Sequence, residues 1–178
     1  MAATKKLEVY CDEARRLGAL DALVISPSKV CTAAWVRLRC QFGCSEYGQC
    51  LTCPPYSPTP ETTRKVLDEY QSAILLHGND ASESLRKIAC DLELKIFLDG
   101  YYKAFAFPCG PCWTCKRCAI QTQKPGKIAA CRHPDLARPA MEAAGIDVFA
   151  TARAAGLPIE VVRSEGCPQN YYALVLVE

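Results

Sequence analysis

Apolar positions along this chain come in short runs and one long helical stripe, an order that predicts strands alternating with helices. The run Asp21-Ala-Leu-Val-Ile-Ser stops at Pro27 and reads as a buried strand. Residues 28–59 read as loop, broken by Gly43, Gly48 and the pair Pro54-Pro55. Thr59, Pro60 and Glu61 then mark a helix start, with a side-chain oxygen at the cap and proline in the first turn, and the helix is expected to reach about Tyr70. Gln71-Ser-Ala-Ile-Leu-Leu-His is a second strand with His77 as its polar end, closed by the turn residues Gly78-Asn79-Asp80. Capped by Ser82 or Ser84, a long helix to Leu98 places Leu85, Ile88, Ala89, Leu92, Ile96 and Leu98 on its inner side. Tyr101 to Phe107 alternates as a strand, and Pro139 to Ala155 is a helix ended by Gly156. Ile159-Glu-Val-Val-Arg and Tyr172-Ala-Leu-Val-Leu-Val finish the chain as two strands, paired as a hairpin or meander.

This order predicts an α+β or α/β fold: a sheet of about five strands, helices packed on it, and a cysteine-rich metal-binding insertion. A chain of 178 residues, 50% hydrophobic, can bury one respectable core. It has no internal repeat, so residues 1–178 read as a single domain with cysteine-rich loops at about 31–58 and 108–138. The formal charge of +2 supplies no global field to recruit nucleic acid or a membrane surface. No stretch approaches the roughly 18 apolar residues of a membrane span, and no apolar run follows the N-terminal lysines, so a cytoplasmic location is expected. Ser-His-acid sets, phosphate-binding glycine loops and dinucleotide fingerprints are also missing from the sequence.

The 13 cysteines change the picture. Nine fall in two groups, Cys40, Cys44, Cys50 and Cys53, then Cys109, Cys112, Cys115, Cys118 and Cys131. Their odd total and the expected reducing compartment argue against a disulfide framework and for metal held through sulfur. Thiolates two residues apart can turn from one loop onto a shared centre, and C-x2-C-x2-C is the opening of a bacterial ferredoxin cluster loop rather than of a zinc ribbon. The last ferredoxin ligand is followed by proline. Cys53-Pro54-Pro55 has that form and Cys131-Arg-His-Pro134 approaches it, so either can complete a cluster begun by Cys112, Cys115 and Cys118, a crossed arrangement included.

Two 4Fe-4S clusters that exchange electrons with a partner redox enzyme are therefore the working expectation. Two alternatives stay open. One cluster keeps only three thiolates, and its open iron makes the protein an enzyme on a small substrate. Alternatively, Cys40, Cys44, Cys50 and Cys53 hold a structural zinc in a binding module whose basic residues from Lys116 to Arg132 contact nucleic acid, a reading the near-neutral charge weakens. Lys116, Arg117, Lys124, Lys127, Arg132 and His133 make the second group locally basic, which suits an anionic cluster and an acidic redox partner. Trp113, Tyr47 and Tyr56 are expected to shield the metal from water. Cys11, Cys31, Cys90 and Cys167 lack partners at metal spacing; Cys90 reads as a small buried apolar residue, and Cys167, between Gly166 and Pro168, is the best placed of the four as an extra ligand.

Several motifs together resemble one known set: Cys40-x3-Cys44-x2-Tyr47-Gly48, Cys53-Pro54-Pro55-Tyr56-x-Pro58, Gly110-Pro111-Cys112-x2-Cys115-x2-Cys118, Cys131-Arg132-x-Pro134, and Arg138-Pro139-x-Met141-Glu142-x2-Gly145-Ile146-Asp147-Val148. Over roughly residues 35–155 the chain resembles the prokaryotic family of cysteine-rich predicted metal-binding proteins, common in anaerobes. The resemblance implies cysteine-bound metal, iron-sulfur in a cytoplasmic protein, and no particular activity. It supports Cys40, Cys44, Cys53, Cys112, Cys115, Cys118 and Cys131 as ligands, and leaves Cys50 or Cys109 to supply an eighth. The Gly145-Ile-Asp-Val segment is expected to pack its helix against the clusters.

Overall fold

The computed structural model describes residues 2–79, 82–123 and 129–178. Asp80 of the expected turn and Lys124 and Lys127 of the basic group lie outside them. The chain runs α1 (Ala2–Arg16), β1 (Asp21–Ile25), α2 (Trp35–Gly43), α3 (Pro60–Leu67), β2 (Ala73–Gly78), α4 (Ser82–Leu98), β3 (Phe105–Phe107), α5 (Val148–Ala155) and β4 (Tyr171–Leu176), with short 3₁₀ turns between them.

The strands form one sheet in the order β1-β2-β4-β3, and every pair is antiparallel. The fold is therefore α+β, and the parallel α/β option is set aside. Ile74 faces Val175, Leu75 faces Leu174 and Ala106 faces Val175 across the ladders. Because side chains alternate across a strand, β2 and β4 feed two cores. On one face Ile74, Leu76, Ala173 and Val175 meet Leu7, Tyr10, Cys11 and Ala14 of α1 and Leu85, Ile88, Ala89, Leu92 and Ile96 of α4. On the other Ala73, Leu75, Leu174 and Leu176 meet Leu67 of α3, Ala152 of α5, Met141 and Ile146. Each such Leu or Ile, fully buried, stabilises the fold by about 1.5–3 kcal/mol.

Among the described residues four strands form where about five were expected. Residues 159–163 make no strand: Ile159 is buried, but Val161 and Val162 point to solvent, and the run has no partner to pair with. The expected C-terminal hairpin is accordingly replaced by β4 inserted between β2 and β3. β3 keeps only the last three residues of the predicted run. The α3 start is as predicted, with Thr59 Oγ1 accepting from Thr62 N at 3.3 Å, but the helix stops at Leu67. Leu98, assigned to the inner side of α4, is exposed, one position beyond the stripe. His77 is buried against β4, its ring stacked on Tyr172 at 4.9 Å and its Nε2 2.7 Å from Asn170 Oδ1.

Two departures shape the cysteine region. The expected loop 28–59 contains α2, which carries Cys40 in its last turn and Cys44 at its C-cap. The expected helix from Pro139 to Ala155 is broken in the middle. Gly145 takes φ +77°, in the left-handed region, and a 3₁₀ turn at Glu142–Ala144 precedes the break. Asp147 then restarts the chain as α5, its Oδ1 accepting from Ala150 N at 2.9 Å.

Candidate metal centre

None of the thirteen cysteines is in a disulfide. Hydrogen bonds donated by three arginines, with one glutamate accepting, lay out the loops that carry the two groups. Arg37 of α2 donates to Ser57 Oγ at 3.3 Å, to Ser57 O at 3.0 Å and to Pro58 O, tying the helix to the Cys53-Pro54-Pro55-Tyr56 loop. Burial lowers the Arg37 pKa. Ser57 Oγ in turn donates to Ala143 O at 2.5 Å and Thr63 Oγ1 to Ala144 O at 2.7 Å, so the broken segment around Gly145 is pinned to the same loop. Inside the loop Gly48 N donates to Pro54 O at 2.8 Å, and Tyr56 N to Cys53 O at 2.9 Å.

The second loop hangs from α4. Arg86 donates to Gly110 O at 3.1 Å and to Arg138 O at 2.7 Å, holding both ends of the segment. One helical face along, Glu93 grips Arg138 at 2.6–3.0 Å through both oxygens, and its Oε2 also accepts from Ala106 N at 2.8 Å. That bond satisfies an N–H on the edge strand and locks β3, α4 and the loop's far end into one unit. Glu93 raises the Arg138 pKa through this paired hydrogen bond.

These anchors bring the cysteines together in two places. Cys112, Cys115, Cys118 and Cys131 of the second group line a cavity of ≈ 180 Å³, and Cys50 of the first group joins them there. Trp113, Lys116, Arg132 and His133 share its wall. Two backbone amides already point at sulfur in it: Leu51 N donates to Cys118 Sγ and His133 N to Cys131 Sγ, both at 3.4 Å. Gln121 Nε2 donates to Gln49 O at 2.8 Å and staples the two cysteine loops to each other. A second, adjoining cavity of ≈ 180 Å³ is lined by Cys40, Cys44 and Cys53 with Tyr47, Pro54, Gly110 and Glu142.

Cys50 stands between the two. Its Sγ lies 3.9 Å from Cys112 O and 3.4 Å from Thr52 Oγ1. The Cys112 thiol pulls its pKa down, while Cys53 and burial together outweigh that and leave it above the ordinary thiol value. The same contact with Cys50, followed by burial, pushes Cys112 up to about 12, and Cys50 lowers Cys53. The two cavities are thus joined through neighbouring thiols.

Cys109 is elsewhere. It is buried in the core between the sheet and α1 and α4, lines neither cavity, and burial pushes its thiol up to about 12. Cys11 is likewise sealed in that core, while Cys90 is only half-buried, with its pKa raised by burial. Cys31 N donates to Thr151 Oγ1 at 3.0 Å. Cys167 Sγ lies 3.3 Å from Ser164 Oγ in an exposed turn, apart from both cavities. Trp113 and Tyr47 sit on cavity walls and Tyr56 lines neither cavity, while Trp113 and Tyr56 are about equally open to solvent, at 47% and 48% exposed.

Among the described residues no three Cys, His, Asp or Glu side chains converge on a single point that would grip one metal ion. Thiols nonetheless predominate among the groups on these walls that can ligate metal, and Cys118 and Cys131 each have an N–H turned toward them, which suits a thiolate metal centre. The match to a known family covers residues 23–177, most of the chain and both cysteine groups. The chain belongs to the family described as predicted metal-binding protein (DUF2284). The metal-binding family's residues include every cysteine that lines the two cavities. No curated protein and no solved structure matches the chain. Membership supports cysteine-bound metal, and no described helix is long and apolar enough to cross a membrane.

Sequence reasoning missed the anchors Arg37, Arg86, Glu93 and Arg138. Arg86 and Glu93 carry one available signal: they fall a heptad apart on α4, each next to a leucine of its apolar stripe, Leu85 and Leu92.

Proposed function

We propose that this member of the predicted metal-binding family is an iron-sulfur electron carrier with two adjoining 4Fe-4S centres. Cys112, Cys115, Cys118 and Cys131 hold one. Cys40, Cys44, Cys53 and Cys50 hold the other. The observation that carries this reading is the pairing of cavities, one lined by four of the second group's five thiols together with Cys50 and the next by three of the first group, with Cys50 in contact with both Cys112 and Cys53. Eight thiols in that arrangement suit two closed centres, and closed centres suit outer-sphere electron transfer. The N–H groups on Cys118 and Cys131 favour the reduced, more anionic state, since hydrogen bonds to the sulfurs raise a cluster's potential. Lys116, Arg117 and Arg132 place positive charge near that cavity, which fits an acidic redox partner in a cytoplasmic setting.

Anaerobic purification with iron and sulfide analysis tests the reading directly. The protein should be brown, absorb broadly near about 400 nm and bleach with dithionite, as thiolate-bound iron-sulfur centres do. Cys50→Ser should lose one cluster's worth of iron and Cys109→Ser should keep both. A colourless protein that takes up stoichiometric zinc and no iron after anaerobic reconstitution overturns the proposal. Full iron content in Cys50→Ser would instead leave the second centre with three thiolates and an open iron.

A further inference from the structure

A third cavity, of ≈ 700 Å³, shares Cys40, Cys44 and Glu142 of its wall with the centre those cysteines help to line. It lies between α2, the N-terminal end of α5 and the chain from Ile159 to Tyr171. Its size falls within the range of small-molecule sites, roughly 300–1,000 Å³. Its walls are aromatic and aliphatic, with Trp35, Phe149 and Tyr171 among them. Trp35, Val161 and Val162 are 47%, 60% and 51% exposed, so three exposed apolar side chains face one cleft. Apolar side chains gathered at one opening mark a binding surface rather than scattered surface hydrophobics.

We propose that this cleft binds a small, uncharged, planar conjugated ring of the quinone class, within electron-transfer reach of the Cys40 and Cys44 centre. The inference rests on reading those two cysteines as ligands of a redox centre. Charge on the wall selects the class. Among the described residues on it Arg39 is the one cation, against Asp147 and Glu160, so a phosphate-bearing flavin meets a net acidic opening. The N-terminus of α5, the other natural phosphate seat, is already occupied by the Asp147 carboxylate bonded to Ala150 N at 2.9 Å. A neutral ring stacks on the aromatic wall, and its carbonyl oxygens find donors in Arg39, Gln169 and Asn170.

Saturation-transfer NMR on the anaerobically purified full chain tests this, with iron and sulfide measured on the same sample. The probe is 2,3-dimethyl-1,4-naphthoquinone, in which methyl groups block the ring carbons that thiols would attack. Saturable binding is expected. Val161→Asp, at a position already exposed to solvent, and Phe149→Ala should each weaken it by about tenfold or more, because one puts a charge and the other a gap where the ring packs. Leu94→Asp, on an exposed apolar position of α4 away from the cleft, should leave it unchanged. Flavin mononucleotide should not compete. With an iron-loaded sample, absence of saturable binding, affinity unchanged in both cleft variants, or equal affinity for flavin mononucleotide overturns the proposal. Cleft-dependent binding by a sample that takes up no iron supports the site and overturns the electron-carrier reading instead.

Discussion

Gly145 joins two demands at one residue. Its φ of +77° belongs to the left-handed region, and a Cβ there would collide with Pro60 Cγ and come within 2.9 Å of Pro60 Cβ. Gly145→Ala should cost about 2–4 kcal/mol, summing backbone strain and overpacking, read as a lower urea midpoint with unchanged slope. The thiols divide as sharply. Burial pushes Cys11 and Cys109 up to about 12, whereas the Ser164 hydroxyl lowers the pKa of exposed Cys167. A lowered pKa puts thiolate in solution at a pH where ordinary thiols are protonated. Iodoacetamide at neutral pH should therefore label Cys167 ahead of Cys11 and Cys109, and Ser164→Ala should slow that labelling; mass spectrometry of tryptic peptides reads both. Spacing alone made Cys50 and Cys109 equal claimants, each two residues from a neighbouring cysteine. Tertiary burial separates them, and burial of a single residue in a loop leaves no periodic trace in sequence.

Elements were legible where period and caps agreed. α4 has an apolar stripe spaced for a helix, α3 has Thr59 and Pro60, and β1, β2 and β4 are uninterrupted apolar runs. α2 was hidden because Ala34 offers no side-chain cap, its first turn has no acid, and Cys40 and Cys44 read as loop ligands. The run at 159–163 resembled a strand by composition alone, since β propensity reports a fit to a half-buried pleated surface and no such surface lies beside it. The element most exposed to a single change is the β3–α4–Arg138 unit. Glu93 and Arg138 are 11% and 17% exposed, so Glu93→Gln leaves a largely desolvated guanidinium without its charge partner. The expected loss is about 3 kcal/mol, close to that of breaking other buried pairs. Because Arg138 ends the segment that carries Cys131, the same variant should bind less iron per chain than wild type, and Lys87→Ala, at an exposed ion pair on the same helix, should change neither stability nor iron.

At the scale of the molecule, the scaffold and the candidate centre draw on different residues. Of the nine cysteines in the two groups, only Cys109 belongs to either packed core. The cores are built from β2 and β4 with α1 and α4 on one side and α3 and α5 on the other, and the loops meet them through hydrogen bonds that Arg37 and Arg86 donate and that Glu93 accepts from Arg138. Metal bound only by the folded loops stabilises those loops by linkage, without being needed to assemble the sheet. Anaerobic removal of metal by a chelator should accordingly leave far-ultraviolet circular dichroism nearly unchanged and the amides of Ile74–Leu76 and Ala173–Val175 slow to exchange. Amides of residues 44–57 and 109–123 should exchange faster by about tenfold or more, which corresponds to at least about 1.4 kcal/mol of local stability supplied by the metal. Hydrogen-exchange mass spectrometry on loaded and stripped protein decides the matter. Collapse of protection in β2 and β4 along with the loops would mean that the metal organises the whole fold, and unchanged protection in the loops would mean that these cysteines hold none.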